Sequence, residues 1–214
     1  MFKLIKRIIY IIIVLNILGI VAGRYMNPPI TITQIGGLLK YGKLKRDYIA
    51  YDEMGSNVKK AVLASEDQKF FSHNGFDYQA IEKAIKHNEQ GKKLRGGSTI
   101  SQQTAKNVFL WQSRSWLRKG LEAFYTFIIE TFWSKDIILE RYLNSIEMGQ
   151  GVFGVEAAAQ YYFGKSSMDL TKSEAAWIAA VFANPKKYDP KNPTHYLRKK
   201  HTWILKQMNN ITLK

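Results

Sequence analysis

Sixteen consecutive residues, Ile8 to Gly23, carry no charge and are dominated by Ile, Leu and Val. A run this apolar has to leave water. As a helix rising about 1.5 Å per residue it measures ~24 Å, short of the ~30 Å hydrocarbon core of a bilayer. Leu4 and Ile5 extend it to twenty residues once Lys6 and Arg7 snorkel to the headgroups. No small-x-small cleavage site follows, so the segment reads as a retained signal anchor spanning about residues 4–23. Its bland alternative is a buried core helix. Lys3, Lys6 and Arg7 precede the run and Arg24 follows closely. That asymmetry keeps the N-terminus in the cytoplasm and places the remaining chain outside the inner membrane, in the periplasm.

The remaining 187 residues suffice for one domain with a substantial core. The formal charge is +15, of which +11 remains after Lys3, Lys6, Arg7 and Arg24 are set aside. Such a balance calls for an anionic partner, and the anchor favours a bilayer or a phosphorylated substrate over nucleic acid. The absence of Cys excludes disulfides, zinc–cysteine sites and thiol catalysis.

Asn27-Pro28-Pro29 and Gly36-Gly37 mark a juxtamembrane linker, residues 28–54, with Ile30 to Ile32 extended. From about residue 55 to 214 the chain reads as helix after helix, a mainly α domain with sparse strand signals. Ser56 and Asp77 are candidate caps, and Thr99-Ile100-Ser101-Gln102 and Thr171-Lys172-Ser173-Glu174 fit the capping-box pattern. Asn184-Pro185 closes one helix and Asn192-Pro193 opens the last, whose apolar set is Tyr196, Leu197, Trp203, Ile204 and Met208.

Three clusters carry chemistry. Glu66-Asp67 closes the helix that begins near Ser56, at the negative end of its dipole, a place that suits a proton acceptor. Phe70, His73, Gly75 and Asp77 follow at close offsets; His73 reads as structural and Asp77 as a cap. The second cluster is the block Gly96 to Asn107. Its glycines let backbone approach a ligand, and open N–H groups at a helix start from Thr99 would receive phosphate oxygens. Gln102 and Gln103 add amides, and Lys106 follows one turn on. In the third, a helix over about 118–133 sets Arg118, Glu122, Thr126 and Glu130 in one polar stripe among apolar residues. That pattern predicts a largely buried helix whose stripe is paired or lines a cavity. An Arg118–Glu122 structural ion pair is the alternative.

Together these segments resemble the monofunctional peptidoglycan glycosyltransferases, enzymes similar to the glycosyltransferase module of bifunctional penicillin-binding proteins. Five ordered motifs between about residues 55 and 190 carry the resemblance. Glu66-Asp67-x-x-Phe70-x-x-His73-x-Gly75-x-Asp77 is the first, and Gly96 to Asn107 the second, with Ser101 where Thr is usual. Arg118-Lys119-x-x-Glu122 is the third. Lys135-x-x-Ile138-Leu139-Glu140-x-Tyr142-Leu143-Asn144 with Gly149 is the fourth, continued by Gly151, Gly154 and Glu156. Glu174-Ala175-Ala176 with Pro185, Tyr188 and Pro190 is the fifth. Ile137 departs from the usual Glu, which removes a capping-box partner of Ser134 and touches no catalytic role. The 214 residues leave no room for a transpeptidase domain.

The resemblance implies a lysozyme-like helical head lobe with a small membrane-facing jaw, about residues 104–118. It implies polymerisation of lipid II onto a growing glycan strand, by one inverting displacement of undecaprenyl diphosphate. Glu66 matches the family's base and Glu122 its second essential Glu; a divalent cation, Mg or Mn, is an optional partner of Glu122. Asp67, Ser98, Thr99, Gln102, Gln103, Lys106, Asn107, Arg118 and Lys119 match substrate-binding positions. Phe109, Trp111 and Trp116, interleaved with Arg114 and Arg118, suit a jaw that enters the bilayer interface. Cell-wall synthesis and division proteins are the expected protein partners. The competing readings are a membrane-anchored peptidoglycan hydrolase of lysozyme-like fold and a non-enzymatic basic membrane-binding protein.

Overall fold

The computed structural model describes residues 2–91, 96–113 and 115–213, so Arg114 of the expected jaw lies outside the described residues. The chain is mainly helical. Among the described residues, ten α-helices run in order: α1 Phe2–Tyr25, α2 Ile32–Tyr41, α3 Ser56–Glu66, α4 Tyr78–Glu89, α5 Ile100–Phe109, α6 Trp116–Phe132, α7 Lys135–Ser145, α8 Val155–Phe163, α9 Lys172–Val181 and α10 His195–Gln207. The described residues also hold three short strands, β1 Lys45–Arg46, β2 Glu147–Gly149 and β3 Val152–Phe153, which form one sheet in the order β1-β3-β2. Lys45 pairs with Val152 in the parallel ladder, and Glu147 with Phe153 in the antiparallel one, which carries a bulge before Gly149.

Two helical layers share one core. In the first, α9 packs between α3 and α10. Small residues permit that approach: Ala61 and Ala64 of α3 meet a helix carrying Ala175, Ala176, Ala179 and Ala180, all buried. In the second, α5 packs against both α6 and α7. Leu63, Ile100, Ile129, Ile138 and Leu143 fill the centre. Truncating one of these to Ala removes its transfer energy and leaves a cavity, at a cost of about 2–5 kcal/mol.

The capping signals place the helices as expected at Asp77, Thr99 and Thr171. Ser134 caps α7 by accepting from the Ile137 N–H without a reciprocal partner, consistent with the missing Glu. Ser56 is the first helical residue rather than the cap, which is Gly55. The last helix is capped by Thr194, one residue beyond the Asn-Pro signal.

The Gly36-Gly37 pair does not mark a linker. It lies inside α2, whose start is fixed by a capping box between Thr31 and Gln34. Gly37 is needed because a Cβ there would sit 2.6 Å from the Phe153 ring, so the helix rests directly on β3. The helix α6 also departs from expectation. Its inner stripe is buried as expected, but Trp116, Leu117, Phe124, Phe127 and Phe132 are exposed, so the helix carries an uncovered apolar face.

The helix α1 docks through its last turns. Trp133 Nε1 donates to the Ile20 carbonyl at 2.9 Å and Arg141 Nε to the Gly23 carbonyl at 2.8 Å. A Cβ on Gly23 would lie 2.6 Å from Trp133, so only Gly allows this contact. Of the expected span, the side chains of Ile9, Ile12 and Ile13 lie outside the described residues. Among those described, no helix is long and apolar enough to cross a membrane.

Candidate active site

Glu66 is the last residue of α3 and opens onto a cleft of about 1040 Å³ between α3, α4, α5 and α10. Its Oε1 accepts from Ser65 Oγ at 2.9 Å, and its Oε2 accepts from Gln103 Nε2 at 3.1 Å. Gln103 in turn accepts through Oε1 from Tyr142 Oη at 3.0 Å. Tyr142 is fully buried, and burial, reinforced by the negative Glu66 and Asp67, pushes its phenol well above the usual range. It therefore remains a donor, which orients the Gln103 amide with its N–H₂ toward Glu66. From the other wall, Lys200 Nζ approaches Glu66 Oε1 to 3.8 Å. Burial lowers the Lys200 ammonium from its ordinary value, and Glu66 opposes that shift.

Asp67 does a different job. Its buried carboxylate accepts from the Ile100 N–H at 3.0 Å and from His73 Nε2 at 2.9 Å. His73 Nδ1 accepts the Gly75 N–H at 3.1 Å, so the neutral ring carries its proton on Nε2 and donates to Asp67. Gly75 has φ +88 and its carbonyl accepts from Thr99 Oγ1 at 2.6 Å. The left-handed backbone requires glycine there, and a Cβ would also strike Thr126 at 2.8 Å. The first motif is thus a clamp that fixes the end of α3 to the start of α5.

That clamp changes the expected anion cradle. The N–H groups of Thr99, Ile100 and Gln102 are taken by Gln102 Oε1, Asp67 Oδ2 and Thr99 Oγ1 respectively. They are not open to a phosphate, because the helix start is satisfied by its own chain. Gln102 is buried and closes the capping box. Asn107 is also buried, with Oδ1 accepting from Gln112 Nε2 at 3.0 Å, and Gln112 in turn ties the coil after α5 to Thr33 of α2 by donating to its Oγ1. Of this block, Gly96, Gly97, Ser98, Thr99 and Gln103 line the cleft.

The third motif forms a cationic cluster. Arg118 donates to Glu122 Oε2 at 2.5 Å and, through Nε, to the Ser113 carbonyl at 2.6 Å. Lys119 donates to Glu122 Oε1 and, at 3.2 Å, to Ser98 Oγ. Lys106 completes the group: burial lowers its ammonium, Glu122 and Glu66 oppose that, and Arg118 and Lys119 add to it. Three cations thus act on one buried carboxylate, two of them in direct contact with it, leaving the cluster net positive. Both Glu122 oxygens are engaged by cations, and among the described residues no group of three His, Asp or Glu could hold a metal ion. This donor set fits an anion and does not fit a divalent cation at Glu122.

The sequence model of the transglycosylase family matches residues 33–209. The chain belongs to that family. A biosynthetic peptidoglycan transglycosylase of Mannheimia succiniciproducens is 53% identical over 171 residues, 80% of this chain and 70% of the relative. Relatives of the same name from Xanthomonas euvesicatoria and Aeromonas hydrophila are 46% and 42% identical, each over 92% of this chain and 82% and 85% of their own length.

The transglycosylase match takes in α10, which the motif reading left outside the site. Tyr196, Lys199, Lys200 and Trp203, all on α10, line the cleft opposite α4. Leu197, Ile204 and Met208 of the expected apolar set are buried, while Tyr196 and Trp203 are exposed to the cleft. The spacing i, i+3, i+4, i+7 would have revealed a shared face, but not that this face meets Glu66. Tyr142, noted only as a motif residue, is the support of Gln103.

Proposed function

We propose that this chain polymerises lipid II into β-1,4-linked glycan strands of peptidoglycan, displacing undecaprenyl diphosphate with inversion. The observation that carries this reading is Ser98, which lines the cleft that Glu66 opens onto and accepts from Lys119 of the Glu122 cluster at 3.2 Å, so carboxylate and cations share one cleft. An inverting glycosyl transfer to a diphosphate leaving group needs both.

In this mechanism the acceptor 4-hydroxyl approaches Glu66, held in place by Ser65, Gln103 and Lys200. Its oxygen attacks the donor's anomeric carbon as the bond to the diphosphate breaks, and the hydroxyl proton passes to Glu66. Charge developing on the diphosphate meets Lys106, Arg118 and Lys119. Glu122 holds Arg118 and Lys119 in register, and Asp67 positions Glu66 through the clamp. No step is routed through a metal ion.

The helical body is the lysozyme-like head, and the segment from about 104 to 118 leads into the jaw. The exposed apolar residues of α1, among them Leu4, Ile11, Leu15 and Leu18, support a single-pass inner-membrane anchor with a periplasmic catalytic domain. The apolar face of α6 supports a jaw resting in the bilayer interface. Cell-wall synthesis and division proteins are the natural partners of such an enzyme. A hydrolase of the same fold would have no use for the three-cation cluster.

The deciding experiment is incubation of the purified protein with lipid II in detergent or vesicles. Glycan polymer is the expected product. Shortened strands from preformed glycan, without polymer, would move the reading to a hydrolase, and neither product would remove the enzymatic reading.

A further inference from the structure

The motifs leave α10 unassigned, yet its cleft face is built like a ligand wall. Tyr196, Lys199, Lys200 and Trp203 project from successive turns. The helix is held rigidly behind them: Leu197 and Ile204 are fully buried, and His201 stacks on Trp177 with ring centroids 3.9 Å apart. Tyr196 is itself stacked on Tyr188 at 5.5 Å. Trp203 is 46% exposed, an indole face presented to the cleft without a covering group.

A second groove of about 420 Å³ continues from the cleft along the same helix, and Lys199 and Trp203 line both. Its other walls are His195, Arg198, Thr202 and Lys206. Among the described residues, no carboxylate lines it. A path thus leads from Glu66, past an open indole, into a groove lined by Arg198, Lys199 and Lys206.

We infer that α10 carries the acceptor subsite, with Trp203 as the platform for the acceptor saccharide and Lys199, Arg198 and Lys206 receiving the carboxylates of its stem peptide. This rests on the polymerase reading above. With the diphosphate at Lys106, Arg118 and Lys119, the acceptor reaches Glu66 from the opposite wall, and that wall is α10. An amphipathic indole suits the apolar face of a sugar ring, and ammonium and guanidinium groups suit carboxylates. A peptide bearing several carboxylates matches a groove with only positive and neutral lining.

The test separates acceptor from donor. A preformed lipid-linked glycan serves as donor, and lipid II is the varied acceptor, either native or with its stem-peptide carboxylates amidated. For the Lys199→Gln, Lys206→Gln double variant, acceptor KM should rise about 10-fold on native lipid II, the scale of a lost charge-assisted hydrogen bond, with kcat little changed. On amidated lipid II this variant and wild type should have the same KM, since the partner charge is already gone. Trp203→Leu should raise KM on both acceptors, and Trp203→Phe should restore it.

Equal KM values for the double variant and wild type on native acceptor would overturn the proposal. So would an undiminished penalty on the amidated acceptor, which would mean the lysines serve something other than the peptide. If Trp203→Leu fails to fold, the lysine comparison still decides. A wild-type protein that makes no polymer at all would sink the polymerase reading instead, an outcome recognisable before any variant is measured.

Discussion

Lys200 Nζ lies 3.8 Å from Glu66 Oε1, so the proposed base faces an ammonium carried by the last long helix of the chain. Their side chains are 17% and 19% exposed, which shields the pair from full solvent screening. Lys200→Met should lower kcat/KM by about 10-fold or more, while Lys200→Arg should retain most of the activity, with far-UV circular dichroism unchanged in both. A purely packing role for Lys200 would make Met the better tolerated of the two.

Glu66→Gln keeps the volume and the hydrogen bonds to Ser65 and Gln103 but removes the proton acceptor. Turnover should fall by about 10²-fold or more, the usual scale for loss of a general base, with lipid II binding preserved. Near-native turnover in a polymerisation assay would take Glu66 out of that role.

Replacing Arg118 and Glu122 together by apolar residues of similar volume tests whether the pair is only structural. A buried ion pair exchanged as a unit for apolar residues is often neutral for stability, within about 1–2 kcal/mol. The expected outcome is a folded protein, by thermal melting, that no longer polymerises lipid II. An active double variant would make the pair structural.

His201 is stacked on Trp177, and burial lowers its ring from the ordinary value of 6.5 while the Ser173 carbonyl opposes the shift. The folded protein binds this proton less readily than the unfolded chain. The contribution to stability is therefore complete above 6.5 and declines as pH falls from there toward the lower folded value. Melting temperatures measured between about pH 7.5 and about pH 5 should fall less steeply in His201→Gln than in wild type. Parallel curves would show that the ring does not titrate on unfolding in this range.

The outer face of α6 gives a membrane prediction. Trp116 is 91% exposed and Leu117, Phe124 and Phe127 are uncovered beside it. In anionic vesicles, brominated acyl chains should quench part of the tryptophan emission of the full chain, and Trp116→Ser should lose that part. Phe109 is a poor probe of the same contact, because it stacks on Tyr125 at 4.9 Å and its removal would cost packing. Unchanged quenching in Trp116→Ser would place the jaw clear of the bilayer.

What could be read from the sequence was local. The boxes at Thr99 and Thr171, the Asp77 cap and the Arg118–Glu122 spacing all depend on residues three or four apart. The Gly36-Gly37 pair misled because helix propensity counts glycine as a breaker, whereas Phe153, far along the chain, is what demands it. Apolar residues all round α6 implied burial, but nothing in a sequence says whether protein or lipid covers the outer half. The Ile100 amide at the start of α5 looked open because its acceptor, Asp67, arrives from the end of α3. Lys200 was invisible for the same reason: its partner is set by how α10 packs on α3 and α9, not by spacing.

Trp133 and Arg141 grip the carbonyls of Ile20 and Gly23 from two places, the turn after α6 and α7 itself. A single bond would let α1 swivel; two, with Gly23 pressed against the indole, do not. The helix and the catalytic body therefore turn together. Any change in how α1 leans in its surroundings becomes a change in how the body that carries Glu66 is aimed.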